Sequence, residues 1–133
     1  MQFADGLKRL WVFMPEPTMY ANLKLTHPQA SIQLVSDCIR QWKELLTVLS
    51  NRFPTADLKL GLFSEPPYLG ASFIDWERPG GKIHVSPYIW NVAAPDCPGY
   101  DMIWIGNKPS AIYETYVEGL RYLNRSAKNG LTG

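Results

Sequence analysis

The feature that most limits what this chain can fold into is an apolar stripe that lies between two prolines. From Ile32 to Phe53 the apolar side chains recur at alternating steps of three and four, which places them on one face of an α-helix. Pro28 suits the first helical position, because its missing N–H would be unpaired there in any case, and Pro54 ends the helix. The sequence therefore predicts a helix over residues 28–52. The stripe consists of Ile32, Val35, Ile39, Trp42, Leu46, Leu49 and Phe53.

Short segments with the pattern of β-strands precede and follow this helix. Residues 10–14 form a continuous apolar run, which is typical of a strand that is covered on both faces. Leucines alternate with other residues over 58–63, the period of two that a strand shows. Residues 71–77 and 82–88 are two further strands, and the Arg-Pro-Gly-Gly between them predicts a hairpin. Another apolar strand is predicted at 101–106.

The order of these elements predicts the fold class. A last helix is predicted over 109–125, with tyrosines and aliphatic residues on one face, which gives the order β-α-β-β-β-β-α. The β-α-β crossover implies a parallel pair of strands, and the hairpin implies antiparallel ones. We therefore expect an α/β (α+β) fold in which a single mixed sheet of about five strands packs against two main helices. The chain, 1–133, is expected to be a single domain with a frayed polar tail from about 126.

Composition and charge argue against several function classes. The 13 basic and 12 acidic side chains are scattered and give a net charge of +1. Nucleic-acid binders carry a clustered basic excess, so no nucleic-acid partner is expected. No apolar run reaches the roughly 18 residues of a membrane span, and no signal peptide is visible, so no membrane association is expected. Cys38 and Cys97 do not make a disulfide framework, and free thiols predict a cytoplasmic protein.

Signatures of common catalytic and metal sites are missing from the sequence. It contains no Gly-rich phosphate loop, no Gly-x-Ser-x-Gly elbow, no Cys-x-x-Cys and no His-Glu-x-x-His. The two histidines, His27 and His84, have no companion Cys or His at the spacing of metal ligands. We therefore expect neither a metal nor a cofactor.

One segment of the chain resembles a known family. Leu-Phe-Ser-Glu-Pro-Pro-Tyr stands at 62–68, and Val-Ser-Pro-Tyr stands at 85–88, after the predicted hairpin. With the layout of the second half of the chain, these pieces resemble the C-terminal half of phospholipase D-like domains. They are most similar to a bacterial subset in which the same two motifs occur, in some proteins as an effector region beside regulatory domains.

The resemblance also indicates which groups of that family's site are absent. Active members carry His-x-Lys-x4-Asp, in which the histidine attacks phosphorus and the lysine binds phosphate oxygens. The aligned positions here are His84, Ser86 and Asn91, so only the histidine is kept and the motif is degenerate. Losing the lysine removes a cation that stabilises charge on the phosphoryl oxygens. Lys82 is the only cation close to His84 in the sequence.

Other residues of this region have structural interpretations that are simpler than catalytic ones. His84 lies between Ile83 and Val85, so it points to the opposite face of its strand, where it can be a structural or solvent-facing side chain. Trp76 and Trp90 are expected in the core or an interface rather than as a platform for stacked bases. The acidic residues around the hairpin are expected to be solvated. These acids are Glu65, Asp75 and Glu77.

The sequence leaves three hypotheses for function. The first is a non-catalytic module that binds a small-molecule ligand or a protein partner and could serve in regulation. The second is a degenerate phospholipase D-like phosphodiesterase that uses His84, although we do not expect catalysis. The third is a structural subunit, and a homodimer through the terminal helix or an edge strand is expected because aromatic residues are abundant. Candidate ligand-binding residues are Lys82, His84, Ser86, Tyr88 and Asn91.

Overall fold

The two helices and six strands follow the predicted order, with one short strand added at the end. The computed structural model describes residues 6–22, 28–64, 69–87 and 99–131. Its strands are β1 (Arg9–Pro15), β2 (Asp57–Phe63), β3 (Leu69–Ile74), β4 (Lys82–Pro87), β5 (Tyr100–Ile103) and β6 (Lys128–Asn129). Its helices are α1 (Pro28–Arg52) and α2 (Ala111–Ser126), and a short 3-10 helix covers Pro17–Asn22.

The strands form one mixed sheet in the order β5-β4-β3-β1-β2-β6. The connection through α1 makes β1 and β2 parallel, and every other neighbouring pair is antiparallel. This arrangement confirms the predicted α+β class and the single mixed sheet with two helices. The described residues contribute six strands rather than about five.

The two faces of the sheet carry separate apolar cores because side chains alternate along each strand. Leu10, Val12 and Met14 of β1 are buried on one face together with the apolar stripe of α1. Four members of that stripe are buried and three are partly buried, so its predicted orientation is confirmed. The buried members are Val35, Ile39, Leu46 and Leu49, and the partly buried ones are Ile32, Trp42 and Phe53.

The opposite face packs against α2. Phe13 of β1, Phe73 of β3 and Ile83 of β4 are buried there with Tyr113 and Leu120 of the helix. The Tyr113 hydroxyl donates a hydrogen bond of 2.9 Å to the carbonyl of Trp76, and burial raises the pKa of this tyrosine to about 12. Ser110 caps the helix, since its hydroxyl accepts a 3.2 Å bond from the N–H of Tyr113.

Two predicted strands end earlier than the sequence pattern indicates. β3 stops at Ile74 rather than at residue 77, because Asp75 adopts a left-handed backbone with φ of 44°. β5 stops at Ile103, although the backbone of Trp104 still bonds to Gly80 and Gly81. An apolar pattern therefore continues past the end of each strand, because Trp76 and Trp104 still pack into the α2 core.

The polar tail, for which the sequence predicts fraying, contributes a short strand to the sheet. Lys128 and Asn129 form β6 and pair antiparallel with Leu62 and Gly61 of β2. The N–H of Gly130 donates to the carbonyl of Leu60 at 2.8 Å. A Cβ at position 130 would lie 3.0 Å from Leu60, so the absence of a side chain lets the tail approach β2 closely.

Asp75 is largely buried rather than solvated, which corrects the expectation for this acid, whereas Glu77 is exposed as the sequence predicts. One carboxylate oxygen of Asp75 accepts the N–H groups of Lys8 at 3.0 Å and Arg9 at 2.7 Å. The Asp75 side chain is only 13% exposed. The guanidinium of Arg9 lies 4.5 Å from the ring of Trp11 and 4.6 Å from that of Trp76, and it pairs with Glu77. Glu65 lies outside the described residues.

Within the described part of the chain, neither helix has the length and apolar composition needed to cross a bilayer.

Candidate ligand-binding site

A single row of side chains changes from apolar to polar as it crosses the sheet. The register pairs Leu60 with Val12, Val12 with Ser72, Ser72 with His84, and His84 with Asp101. Paired residues lie on the same face, so all five face the side that α1 covers. Leu60, Val12 and Ser72 are buried, whereas His84 and Asp101 are about half exposed. Burial on this face therefore ends between β3 and β4.

Asp101 holds together the polar end of this row. Its Oδ1 lies 2.6 Å from Nδ1 of His84, and its Oδ2 lies 3.2 Å from Nζ of Lys82. The hydrogen bond with His84, supported by Lys82, keeps the pKa of Asp101 below its ordinary value. An ionised carboxylate only accepts hydrogen bonds, so Nδ1 of His84 carries the proton that it donates.

The imidazole of His84 lies across β5. One side of the ring contacts Asp101, and the Cε1–Nε2 side lies over Gly99. A Cβ at position 99 would be 2.9 Å from Cε1 and 3.1 Å from Nε2, so only glycine leaves the ring in this position.

A small cavity of about 110 Å³ opens beside His84, between α1 and strands β3 and β4. One wall is polar and carries the hydroxyls of Ser72 and Ser86, and Gly70, opposite Ser86, contributes no side chain. The other wall is apolar and comes from β1 and α1. The lining residues are Val12, Met14, Cys38, Trp42, Gly70, Ala71, Ser72, His84 and Ser86.

The chemistry of this cavity is that of hydrogen bonding next to an apolar surface. Lys82 and Asp101 form an ion pair beside His84, so these two charges offset each other next to the cavity. Burial, with the nearby charge of Asp37, raises the pKa of the Cys38 thiol, so this thiol is neutral at physiological pH. The described residues contain no group of three or more His, Cys, Asp or Glu side chains that could hold a metal ion.

The structure brings together some of the candidate residues and leaves others undescribed. His84 and Ser86 line the cavity. Lys82 pairs with Asp101, which in turn contacts His84. Tyr88, Asn91, Trp90 and Cys97 lie outside the described residues, so their predicted places are not tested. Trp76 is buried in the α2 core, 4% exposed, as predicted.

The sequence analysis does not identify three residues of the site. Asp101, Ser72 and Cys38 come from β5, β3 and α1, and only the sheet register places them beside His84. The period of two along 101–106 could have assigned a face to Asp101. Nothing in the sequence indicates that β5 pairs with β4 in the register that sets Asp101 opposite His84.

No protein-family model, no curated protein and no solved structure matches this chain. The similarity to phospholipase D-like domains therefore stays a prediction, and function has to be argued from the site itself.

Proposed function

We propose that this chain is a non-catalytic module that binds a small, uncharged ligand in the cavity between α1 and strands β3 and β4. The observation that carries the proposal is the division of that cavity into a hydroxyl-bearing wall and an apolar wall. Ligand sites in proteins typically combine apolar lining with a few polar groups that fix orientation.

The size of the cavity limits the ligand. A volume of about 110 Å³ is well below the roughly 300–1,000 Å³ of sites for drug-sized molecules. The cavity therefore suits a single ring or short chain, either as a whole ligand or as one end of a larger molecule. Trp42 offers an apolar surface for a ring, and Ser72 and Ser86 can bond to its polar edge.

The paired charges beside His84 favour an uncharged ligand. An anion would be attracted by Lys82 but repelled by Asp101, whose carboxylate lies 3.2 Å from that ammonium and 2.6 Å from His84. A cation would likewise be attracted by Asp101 but repelled by Lys82. A neutral ring that carries hydrogen-bond donors and acceptors has no such conflict.

A variant that fills the cavity tests the proposal. Ser86→Leu adds apolar volume at the polar wall and removes a hydroxyl. The saturation-transfer signal of each fragment that binds the wild type, among uracil, phenol and nicotinamide, should therefore be lost. Ser50→Leu is the matched control, because Ser50 is an exposed serine of α1 outside the cavity. Equal signals in wild type and Ser86→Leu, or no signal for any fragment in the wild type, would contradict the proposal.

One observation favours a second candidate, a phosphodiesterase that uses His84. The arrangement of Lys82, Asp101 and His84 supplies a cation and an orienting carboxylate that the aligned motif positions lack. The ion pair between Lys82 and Asp101 argues against it, because Asp101 already offsets the charge of this cation. We expect no hydrolysis of bis(p-nitrophenyl) phosphate, with or without divalent metal; turnover that His84→Ala abolishes would replace the binding proposal with the enzyme.

A further inference from the structure

A second, larger groove runs along α2 on the opposite side of the sheet. Its volume is about 720 Å³, which is within the range of sites that hold drug-sized ligands or side chains of a partner. One wall is the face of α2 that carries Glu114, Glu118 and Arg121, and the other includes Glu77 and Trp104. None of these residues belongs to the cavity beside His84.

The groove is more acidic than the rest of the chain. Three carboxylates line it, from Glu77, Glu114 and Glu118, against one cation, Arg121. The whole chain carries a net charge of +1, so this surface differs locally in sign. Glu118 pairs with Arg121 and Glu77 pairs with Arg9, whereas no other described residue forms an ion pair with Glu114. Its carboxylate is exposed at the rim.

Aromatic rings in the groove add a second element of recognition. Trp104 is half-buried, and its indole is held by a 3.1 Å bond from Nε1 to the carbonyl of Gly106 and by edge contact with Tyr113. A fixed indole beside carboxylates suits a flat cation, because the ring face attracts positive charge. The chain itself contains such an arrangement, since the guanidinium of Arg9 contacts the rings of both Trp11 and Trp76 and pairs with Glu77.

We infer that this groove docks an arginine-bearing peptide segment of a partner protein. The guanidinium stacks on Trp104, and Glu114 and Glu118 pair with it or with a neighbouring basic side chain. A guanidinium fits better than an ammonium, because its planar fork both stacks on an aromatic face and bonds to carboxylates.

Calorimetric titration with a hexa-arginine peptide at physiological ionic strength tests the inference, with hexa-lysine and hexa-glutamate for comparison. We expect saturable binding of hexa-arginine, weaker binding of hexa-lysine and none of hexa-glutamate. Glu114→Gln should weaken the affinity about threefold, and Trp104→Leu about fivefold or more, as expected for the loss of an exposed ion pair and a cation–π contact. Glu44→Gln is the matched control, because Glu44 is an exposed glutamate of α1 outside the groove.

A second measurement, on the wild-type protein, tests the inference even if Trp104→Leu does not fold. In the wild-type protein, hexa-arginine should shift the nuclear magnetic resonance of the Trp104 Nε1–H. No saturable binding up to about 1 mM peptide, equal binding of hexa-lysine, or equal weakening by Glu114→Gln and Glu44→Gln would overturn the inference. A wild-type dimer that Glu114→Gln dissociates would also overturn it, since a second copy would then fill the groove.

Discussion

At the scale of single residues, short polar side chains organise this molecule by bonding to strands other than their own. Asp75 bonds to the backbone at the start of β1, and Asp101 joins His84 to Lys82. Gly99 leaves space for the imidazole that Asp101 holds. The position of His84 therefore depends on its neighbours on β5 as much as on its own strand.

The pKa of Asp101 reports directly on this arrangement. His84→Ala removes the largest cause of the lowered pKa, the hydrogen bond from the imidazole, so the pKa of Asp101 should rise toward its ordinary value. Lys82→Met should also raise it, because the lysine is a further cause of the lowered pKa. Carboxyl ¹³C titration by nuclear magnetic resonance measures both, and an Asp101 pKa that is unchanged in His84→Ala would show that the pair does not form.

The lowered pKa of Asp101 also predicts how the stability of the fold changes with pH. A carboxyl with a lowered pKa in the folded state stabilises the fold above its unfolded pKa of about 3.9, and the contribution is lost as the pH falls through the lowered value. The difference in unfolding free energy between wild type and Asp101→Asn should therefore shrink in acid, as the pH falls through the lowered pKa of Asp101. A difference that grows on acidification would contradict this assignment.

At the scale of elements, the hydrophobic period predicts the type of each secondary-structure element more accurately than it predicts the residue at which the element ends. The stripe of α1 and the face of α2 could be assigned because long periodic segments bury one side. The end of β3 could not, since it depends on the left-handed backbone of Asp75, which bonds to residues far away in the chain. Trp42, in the middle of the stripe, is only half-buried because it borders the cavity beside His84.

The tail shows a further limit of sequence patterns, because a polar segment can still complete a sheet. Removing residues 127–133 deletes β6, its backbone bonds to β2, and the ion pair of 2.8 Å between Lys128 and Glu16. We expect this truncation to lower the unfolding free energy by about 1–3 kcal/mol, mainly through lost hydrogen bonds. Urea denaturation measures it, with removal of residues 132–133 as control. Equal stability of the two truncated chains would mean that β6 contributes nothing.

At the scale of the whole molecule, the sheet separates two surfaces with different chemistry. The face under α1 holds a small cavity with balanced charge, and the face under α2 holds a larger acidic groove. The sequence indicates the two amphipathic helices behind this division. It does not indicate the cavity, because Ser72, His84 and Cys38 become neighbours only through the crossover and the strand register.

The predicted homodimer belongs to this scale and stays a prediction. Among the described strands β5 lies at one edge of the sheet. Ile103 at its end and Ile105 just after it are 55% and 80% exposed. Unpaired edges with exposed apolar residues favour pairing with a second copy. We expect sedimentation at tens of micromolar to show a dimer that Ile105→Lys dissociates. A wild-type monomer at that concentration would contradict the prediction.

The central claim, that the cavity beside His84 binds an uncharged ring, is tested most directly by mapping amide resonances during titration. Uracil, phenol and nicotinamide are added separately to the wild-type protein, with inorganic phosphate and acetate as charged comparisons. The account predicts that at least one ring, with a dissociation constant of about 1–10 mM, shifts the amides of Val12, Cys38, Ser72 and Ser86, and that neither anion does. Shifts produced only by phosphate, or ring-induced shifts that avoid these four residues, would contradict it.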